Sequence, residues 1–313
     1  MRDPDGVVGR RLLVVFCLVF VLIVLDVVVR AVHRSARPIP SRMQLATVWR
    51  ERWTLRRGAI VGSALVSFYV TYLAYRNLKS LIPVLRPGDL FDTQLAEFDR
   101  TLFGGNDPAE LMHQLVGTGA ATHVLSTVYV LFLLFVPVSL ALALVFSRDL
   151  QRGLFYATAI SINWALGAVS YFLLPSLGPV YAAPGAFADL PVTAATKLQG
   201  VLLEARVEYL RDPSTTDAAQ SIAAFASLHT SVLFTAAVAA WLLGLGRPLQ
   251  IALWTGLALT VASTIHLGWH YLVDDFGGVV VGLAALAIAL AITGFQPQVA
   301  PPVRSARARV GTA

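Results

Sequence analysis

The chain has 313 residues, of which 57% are hydrophobic and 13% charged, and its net charge is +6. A soluble domain carries about 25% charged residues, so the composition excludes an ordinary water-soluble fold and a disordered chain. No soluble basic domain and no basic stripe with interleaved aromatics is present, which excludes nucleic acid as a partner. The lone cysteine, Cys17, excludes an intrachain disulfide and a cysteine-built metal cluster; in its apolar run it reads as a small buried hydrophobe.

Windows of about 20 apolar residues mark membrane-spanning helices. The first, 12–32, is too long for a signal-peptide core and ends on Ala31-Val32-His33-Arg34, a poor cleavage site, so it reads as a retained helix. Asp26 inside it reads as a paired structural aspartate near the Arg30 end. The second span, 58–79, leads into a long loop, 80–121. That loop holds Asp89, Asp92, Glu97, Asp99, Asp107 and Glu110 with Pro87-Gly88 and Gly104-Gly105, a pattern for one or two amphipathic helices on the membrane surface. Spans at 122–146 and 154–174 follow, and Asn163 reads as a hydrogen bonder between helices. A second long loop, 175–222, opens on Pro175-Ser176-Leu177-Gly178-Pro179 and has helical spacing over Val192–Leu210. Spans at 223–244, 249–269 and 272–294 close the series. The expectation is an all-α polytopic membrane protein of about seven transmembrane helices. Residues 1–57 form an N-terminal helix with a basic loop, 58–294 a six-span bundle, and 295–313 a basic tail.

Arginine in short loops marks the cytoplasmic side. Segment 30–57 carries Arg30, Arg34, Arg37, Arg42, Arg50, Arg52, Arg56 and Arg57 against Glu51 alone. With Arg148, Arg152, Arg247, Arg304, Arg307 and Arg309, fourteen of the 24 basic residues fall on one side, beside only Glu51 and Asp149. The protein is therefore expected in the cell membrane, with loops 80–121 and 175–222 outside.

Ionisable and hydroxyl residues collect at the outer ends of the spans, where such groups point to function. Ser227-Leu228-His229-Thr230-Ser231 opens the fifth span; His266, His270 and Asp274 straddle the sixth and seventh and share a face if that stretch is helical; Arg76, Lys79 and Arg86 end the second. Two histidines with an aspartate suit a nucleophile held by a carboxylate together with a separate general acid. Lysine, arginine and hydroxyls suit a phosphate and the charge on its equatorial oxygens. The set reads as phosphoryl transfer through a phosphohistidine, needing neither cofactor nor metal. Two rivals remain. His266, His270 and Asp274 have a spacing that can ligate zinc on one helical face, as in a metal hydrolase. A non-catalytic lipid transporter would also line a path with polar groups, but it would distribute them through the membrane depth rather than at one lip.

The phrases Ala226–Ser231 and His270-Tyr271-Leu272-Val273-Asp274 resemble the second and third signatures of the type-2 phosphatidic-acid phosphatase superfamily, and Lys79, six residues, then Arg86-Pro87 fits the spacing of the first. Ser-Leu-His in place of Ser-Gly-His, Thr264 where most members have arginine, Tyr72, Tyr75-Arg76 and the Pro175–Pro179 loop are similar to the branch of inositol phosphorylceramide synthase. The resemblance spans about residues 58–290. It implies His270 as nucleophile, Asp274 as its orienting partner and His229 as the acid for the leaving alkoxide, with Ser227, Lys79 and Arg86 on the phosphate. Arg76, Arg206 or His266 would stand in for the arginine that Thr264 replaces. The implied activity is a lipid phosphotransferase or phosphatase on a phospholipid or lipid-linked phosphate, with a polyol or lipid hydroxyl as acceptor and an inositolphosphotransferase as the branch reading.

Overall fold

A computed structural model gives the fold; it describes residues 8–35, 39–147, 149–213 and 222–297. Arg2, Arg37, Arg148, Arg304, Arg307 and Arg309 lie outside the described residues. The helices in chain order are α1 (Val8–Ser35), α2 (Arg42–Arg52), α3 (Leu55–Leu85), α4 (Asp92–Leu102), α5 (Pro108–Val116), α6 (Ala120–Phe146), α7 (Leu150–Leu173), α8 (Pro179–Ala182), α9 (Ala194–Arg211), α10 (Leu228–Leu242), α11 (Arg247–His266) and α12 (Leu272–Thr293). Among the described residues there is no strand, and α3, α6, α7, α11 and α12 are each long and apolar enough to cross a membrane. This is a polytopic all-α membrane protein.

The helices begin where side chains can satisfy the free N–H groups of a first turn. Thr54 caps α3, Asp149 accepts from the Gln151 amide at 3.0 Å to start α7, and Ser41 with Gln44 forms a capping box on α2. Two boundaries depart from those expected from the sequence. The second span runs on to Leu85 through Pro83, so Lys79 sits within a helix rather than at its end. The fifth begins only at Leu228 and is 15 residues long, because residues 222–227 are non-helical chain whose amides at 224–226 bond to Ser176 and Ser170.

α3, α6, α7, α10, α11 and α12 form the bundle: α7 lies against α3, α6, α10 and α12, while α11 joins α6 and α10. The core holds Phe132, Phe155, Ile160, Val232 and Leu286. α12 can approach α10 closely because Gly278 and Gly282 face it; a Cβ on Gly278 would collide with the Ser227 carbonyl oxygen. Asn163, fully buried, donates to the Ala159 carbonyl at 2.8 Å and to Thr235 Oγ1 at 3.0 Å, and accepts from Ser231, so it links α7 to α10. α1 packs on α6 through Val19, Ala141 and Val145. Cys17 is exposed rather than buried, because α1 touches the bundle along one side only.

The two ends of the bundle differ in charge. At one end Arg52 donates to the carbonyls of Val145 (3.1 Å) and Ser147 (2.7 Å), and Arg57 donates to the same two at 3.3 and 2.9 Å. These cations serve the unsatisfied carbonyls at the C-terminal end of α6 and complement its dipole. Asp26 is buried and pairs with Arg30 at 2.7 Å and Arg52 at 3.2 Å. α3 starts at this basic end and rises about 45 Å over its length, carrying Lys79 and Arg86 to the other. There α4 lies on α12 and α8, α5 on α11, and α9 on α6.

Candidate active site

Four elements converge at the end away from the arginines. The C-terminal end of α3 brings Lys79, the N-terminus of α10 brings Ser227 and His229, the turn between α11 and α12 brings His270, and the first turn of α12 brings Asp274. The turn is held by its own backbone, as the amides of Trp269 and His270 donate to the Thr264 carbonyl at 2.8 and 3.3 Å.

His229 and His270 meet with Nδ1 and Nε2 3.0 Å apart, and His270 Nδ1 lies 3.3 Å from Asp274 Oδ2. Asp274 is fully buried and its Oδ2 also accepts from the Tyr271 amide at 3.0 Å, which fixes the carboxylate. With Asp274 accepting from Nδ1, His270 keeps a lone pair on Nε2. His229 then presents Nδ1–H to it. The His229 ring is set by Phe132 and Tyr129, with centroids 4.5 and 4.9 Å away. Burial, and then the charge of Lys79, pulls the pKa of His270 down to about 3. The imidazole is therefore neutral throughout the ordinary pH range.

The cations are arranged less uniformly. Lys79 Nζ lies 3.3 Å from the Tyr75 hydroxyl and 4.8 Å from the centroid of the Tyr171 ring. Arg76, half-buried one turn earlier, is close enough for its charge to act on Lys79. Arg86 donates to the carbonyls of Phe172 (2.7 Å) and Leu173 (3.0 Å) and pairs with Asp89 at 3.2 Å, so it closes the C-terminal end of α7. A cavity of about 250 Å³ lies beside Arg86, lined also by Tyr171, Ser176, Arg206 and Ala223. Ser227 caps α10 through a 3.4 Å contact with the Thr230 amide, and its hydroxyl is turned to Thr230. Asp275 is buried and accepts from Thr230 Oγ1 at 2.5 Å, which ties α12 to α10.

The expected common face of His266, His270 and Asp274 does not form. α11 ends at His266, and Gly268 with φ +70° turns the chain, so the stretch is not one helix. His266 Nε2 faces Thr122 Oγ1 at 2.8 Å, and its ring packs against His113. Among the described residues no cluster of three or more histidine, cysteine or carboxylate side chains is placed to hold a metal ion. The zinc arrangement that the spacing allowed is thus not assembled.

Two further carboxylates adjoin the site. Asp92 accepts from the amides of Leu177 (3.0 Å) and Gly178 (2.9 Å) and from the Tyr271 hydroxyl (3.1 Å). Asp99 accepts from the amides of Leu272 (2.6 Å) and Val273 (2.9 Å). By sequence both belong to an acidic surface loop and neither stands out as a site residue, although their spacing of seven residues puts them on one face of a helix.

A model of the PAP2 superfamily matches residues 93–288, which takes in Ser227, His229, His270 and Asp274 and leaves Lys79 and Arg86 outside the matched stretch. No curated protein and no solved structure matches the chain.

Proposed function

The chain belongs to the PAP2 superfamily, and from that premise we propose that it is a membrane lipid phosphotransferase or phosphatase working through a phosphohistidine at the extracytoplasmic face. The observation that carries this reading is the His229–His270–Asp274 relay, in which a 3.0 Å link joins histidines 41 residues apart in the chain and a 3.3 Å link joins His270 to Asp274. The arginines at the far end support the orientation, since the basic end of a bundle faces the cytoplasm.

A lipid-linked phosphate enters sideways from the bilayer and parts the two imidazoles. His270 Nε2 attacks phosphorus in line, forming the N–P bond as the ester P–O bond breaks. His229, protonated once the phosphate charge lies against it, gives its proton to the departing oxygen. Asp274 stabilises the positive charge that develops on His270. Water or an acceptor hydroxyl then yields its proton to His229 while its oxygen takes the phosphoryl group, and His270 is restored. Lys79 and Arg86, with Ser227, are assigned to the phosphate oxygens, and Arg76 or Arg206 to the role of the arginine that Thr264 replaces, since His266 is turned to Thr122 and His113. Thr264 is buried and its hydroxyl is spent on the Val261 carbonyl at 2.9 Å. Ser-Leu-His at residues 227–229 and this threonine favour the branch that moves inositol phosphate or a related polyol phosphate.

Incubation of the purified protein with headgroup-labelled phosphatidylinositol, with and without acceptor lipids, tests the reading. A new labelled lipid establishes transfer, whereas free labelled phosphate or inositol phosphate establishes hydrolysis. Activity should survive chelators and be blocked by vanadate; loss on chelation with recovery on adding zinc would refute the mechanism.

The depressed pKa of His270 gives a pH dependence. A nucleophile with a pKa of about 3 stays unprotonated well below pH 6.5. With a phosphodiester, whose charge is constant over that range, the acid limb of kcat/KM that belongs to the nucleophile should lie below about pH 4. For stability the sign is as follows. Between pH 6.5 and 3 the unfolded chain binds this proton and the folded one does not, so the contribution of His270 to stability falls as the pH falls. An acid limb near 6.5 that disappears in His270→Ala while residual activity persists would contradict the assignment.

A further inference from the structure

The carboxylates of α4 occupy a place that the reaction above does not use. Asp92 and Asp99 are 8% and 2% exposed, and both point inward from one face of the helix. Burying two carboxylates is costly unless each is fully hydrogen-bonded. Their hydrogen-bond donors lie in two short segments, Leu177-Gly178 and Tyr271–Val273. The second segment is the chain immediately after His270. The first abuts the residue immediately before it, since a Cβ on Gly178 would stand 2.5 Å from the Trp269 carbonyl oxygen.

The chemistry of each contact is specific. The amides of Leu272 and Val273 belong to the first turn of α12, where no intrahelical acceptor exists. Asp99 satisfies both from another helix and places negative charge at the positive end of the α12 dipole. Asp92 joins the Pro175–Gly178 loop to the Tyr271 side chain. Together they hold the turn that carries His270 from both sides, while Asp274, one residue past the Asp99 contacts, orients the imidazole.

We infer that Asp92 and Asp99 are positioning residues, through which α4 sets His270 and Asp274 in register with His229. This rests on the phosphohistidine reading for its kinetic consequence but not for its structural one. A displacement of about 1 Å at a reacting atom can cost about 10²-fold in rate. All three donors to Asp92 reach Oδ1, and the Leu177 amide is shared with Oδ2 at 3.0 Å. The two Asp99 contacts use different oxygens. Asparagine at position 92 keeps an acceptor for all three donors and sets its NH₂ against the shared Leu177 amide, whereas at position 99 its NH₂ takes the place of one donor's acceptor outright.

The test uses the full chain in detergent, with labelled phosphatidylinositol as substrate. Asp92→Ala and Asp99→Ala should lower kcat by about 10²-fold with KM little changed. Asp92→Asn should recover more of that loss than Asp99→Asn does. Hydrogen exchange, which needs no turnover, should show the amides of Leu272 and Val273 losing protection in Asp99→Ala. Leu95→Ala removes a buried side chain from the same helix and controls for general loosening; its melting temperature should fall while kcat is kept. Wild-type kcat in both alanine variants, or a kcat loss in Leu95→Ala that matches theirs at equal loss of melting temperature, overturns the inference. So does unchanged protection at residues 272 and 273. If the native chain turns over no lipid phosphate, the function proposed above fails, and the exchange measurement still decides the positioning role.

Discussion

His270→Ala should turn over lipid phosphate about 10⁴-fold or more slowly than the native chain, with the folded protein intact. Removing the proposed nucleophile leaves no atom to form the N–P bond, and alanine at a buried turn removes no backbone contact, since the His270 amide still reaches the Thr264 carbonyl. His229→Ala should behave differently. General-acid help is worth about 10²–10⁴-fold, and it matters in proportion to how badly the departing oxygen needs a proton. A substrate with an acidic phenol as leaving group should therefore recover most of the first step in His229→Ala and none of it in His270→Ala. The second step still lacks its base, so His229→Ala should accumulate acid-labile, base-stable phosphoprotein that can be trapped by rapid denaturation. Asp274→Asn should fall between the two, because the amide can present a donor to His270 Nδ1 and hold the wrong tautomer. Equal losses in His229→Ala for activated and unactivated leaving groups would remove it from the role of acid.

Much of this candidate site was legible in the chain because its residues lie in short local phrases. The phrases Ala226–Ser231 and His270–Asp274, through their resemblance to the superfamily signatures, singled out both histidines and Asp274, and the structure brings the three side chains together. The parts that were not legible depend on how the backbone turns. Counting His266 with His270 and Asp274 assumed a continuous helix, and the positive φ of Gly268 breaks it, sending His266 to Thr122 and His113. Arg86 stands where the signature spacing expects it, yet two carbonyls of α7 and Asp89 engage it. Those partners come from elsewhere in the fold, so no local pattern announces them. Asp92 and Asp99 looked like solvated charges in an acidic loop. Only the docking of α4 onto α12 turns them inward, and that docking is a long-range packing event whose trace in the sequence is one interval of seven residues.

The loop that faces the turn carrying His270 gives the sharpest stability prediction. Gly178 has φ +99° and ψ 158°, a region that essentially only glycine occupies, and holding another residue there costs about 1–3 kcal/mol. Its missing side chain is also what lets the Trp269 carbonyl approach, because a Cβ would lie 2.5 Å from that oxygen and 3.2 Å from its carbon. Neither neighbour is the loose end of a side chain, so the clash can be relieved only by moving backbone, at a further cost of about 1–3 kcal/mol. Moving it means shifting the residue before His270, or pulling Gly178 from Asp92 and Val180 from the Gly268 carbonyl, which it meets at 2.9 Å. Gly178→Ala should therefore lose about 2–6 kcal/mol and most of its activity together. Two companions separate the causes. Gly104→Ala carries a positive φ of +63° with nothing within 4 Å of the new Cβ, so it should cost about 1 kcal/mol and leave kcat intact. Gly278→Ala keeps helical backbone but collides with the Ser227 carbonyl, so it should destabilise by crowding and shift the start of α10 that carries His229. Melting in detergent and kcat on the same preparations decide the matter. If Gly178→Ala melts no lower than Gly104→Ala and keeps its kcat, the close approach of the two loops is not what holds His270 in place.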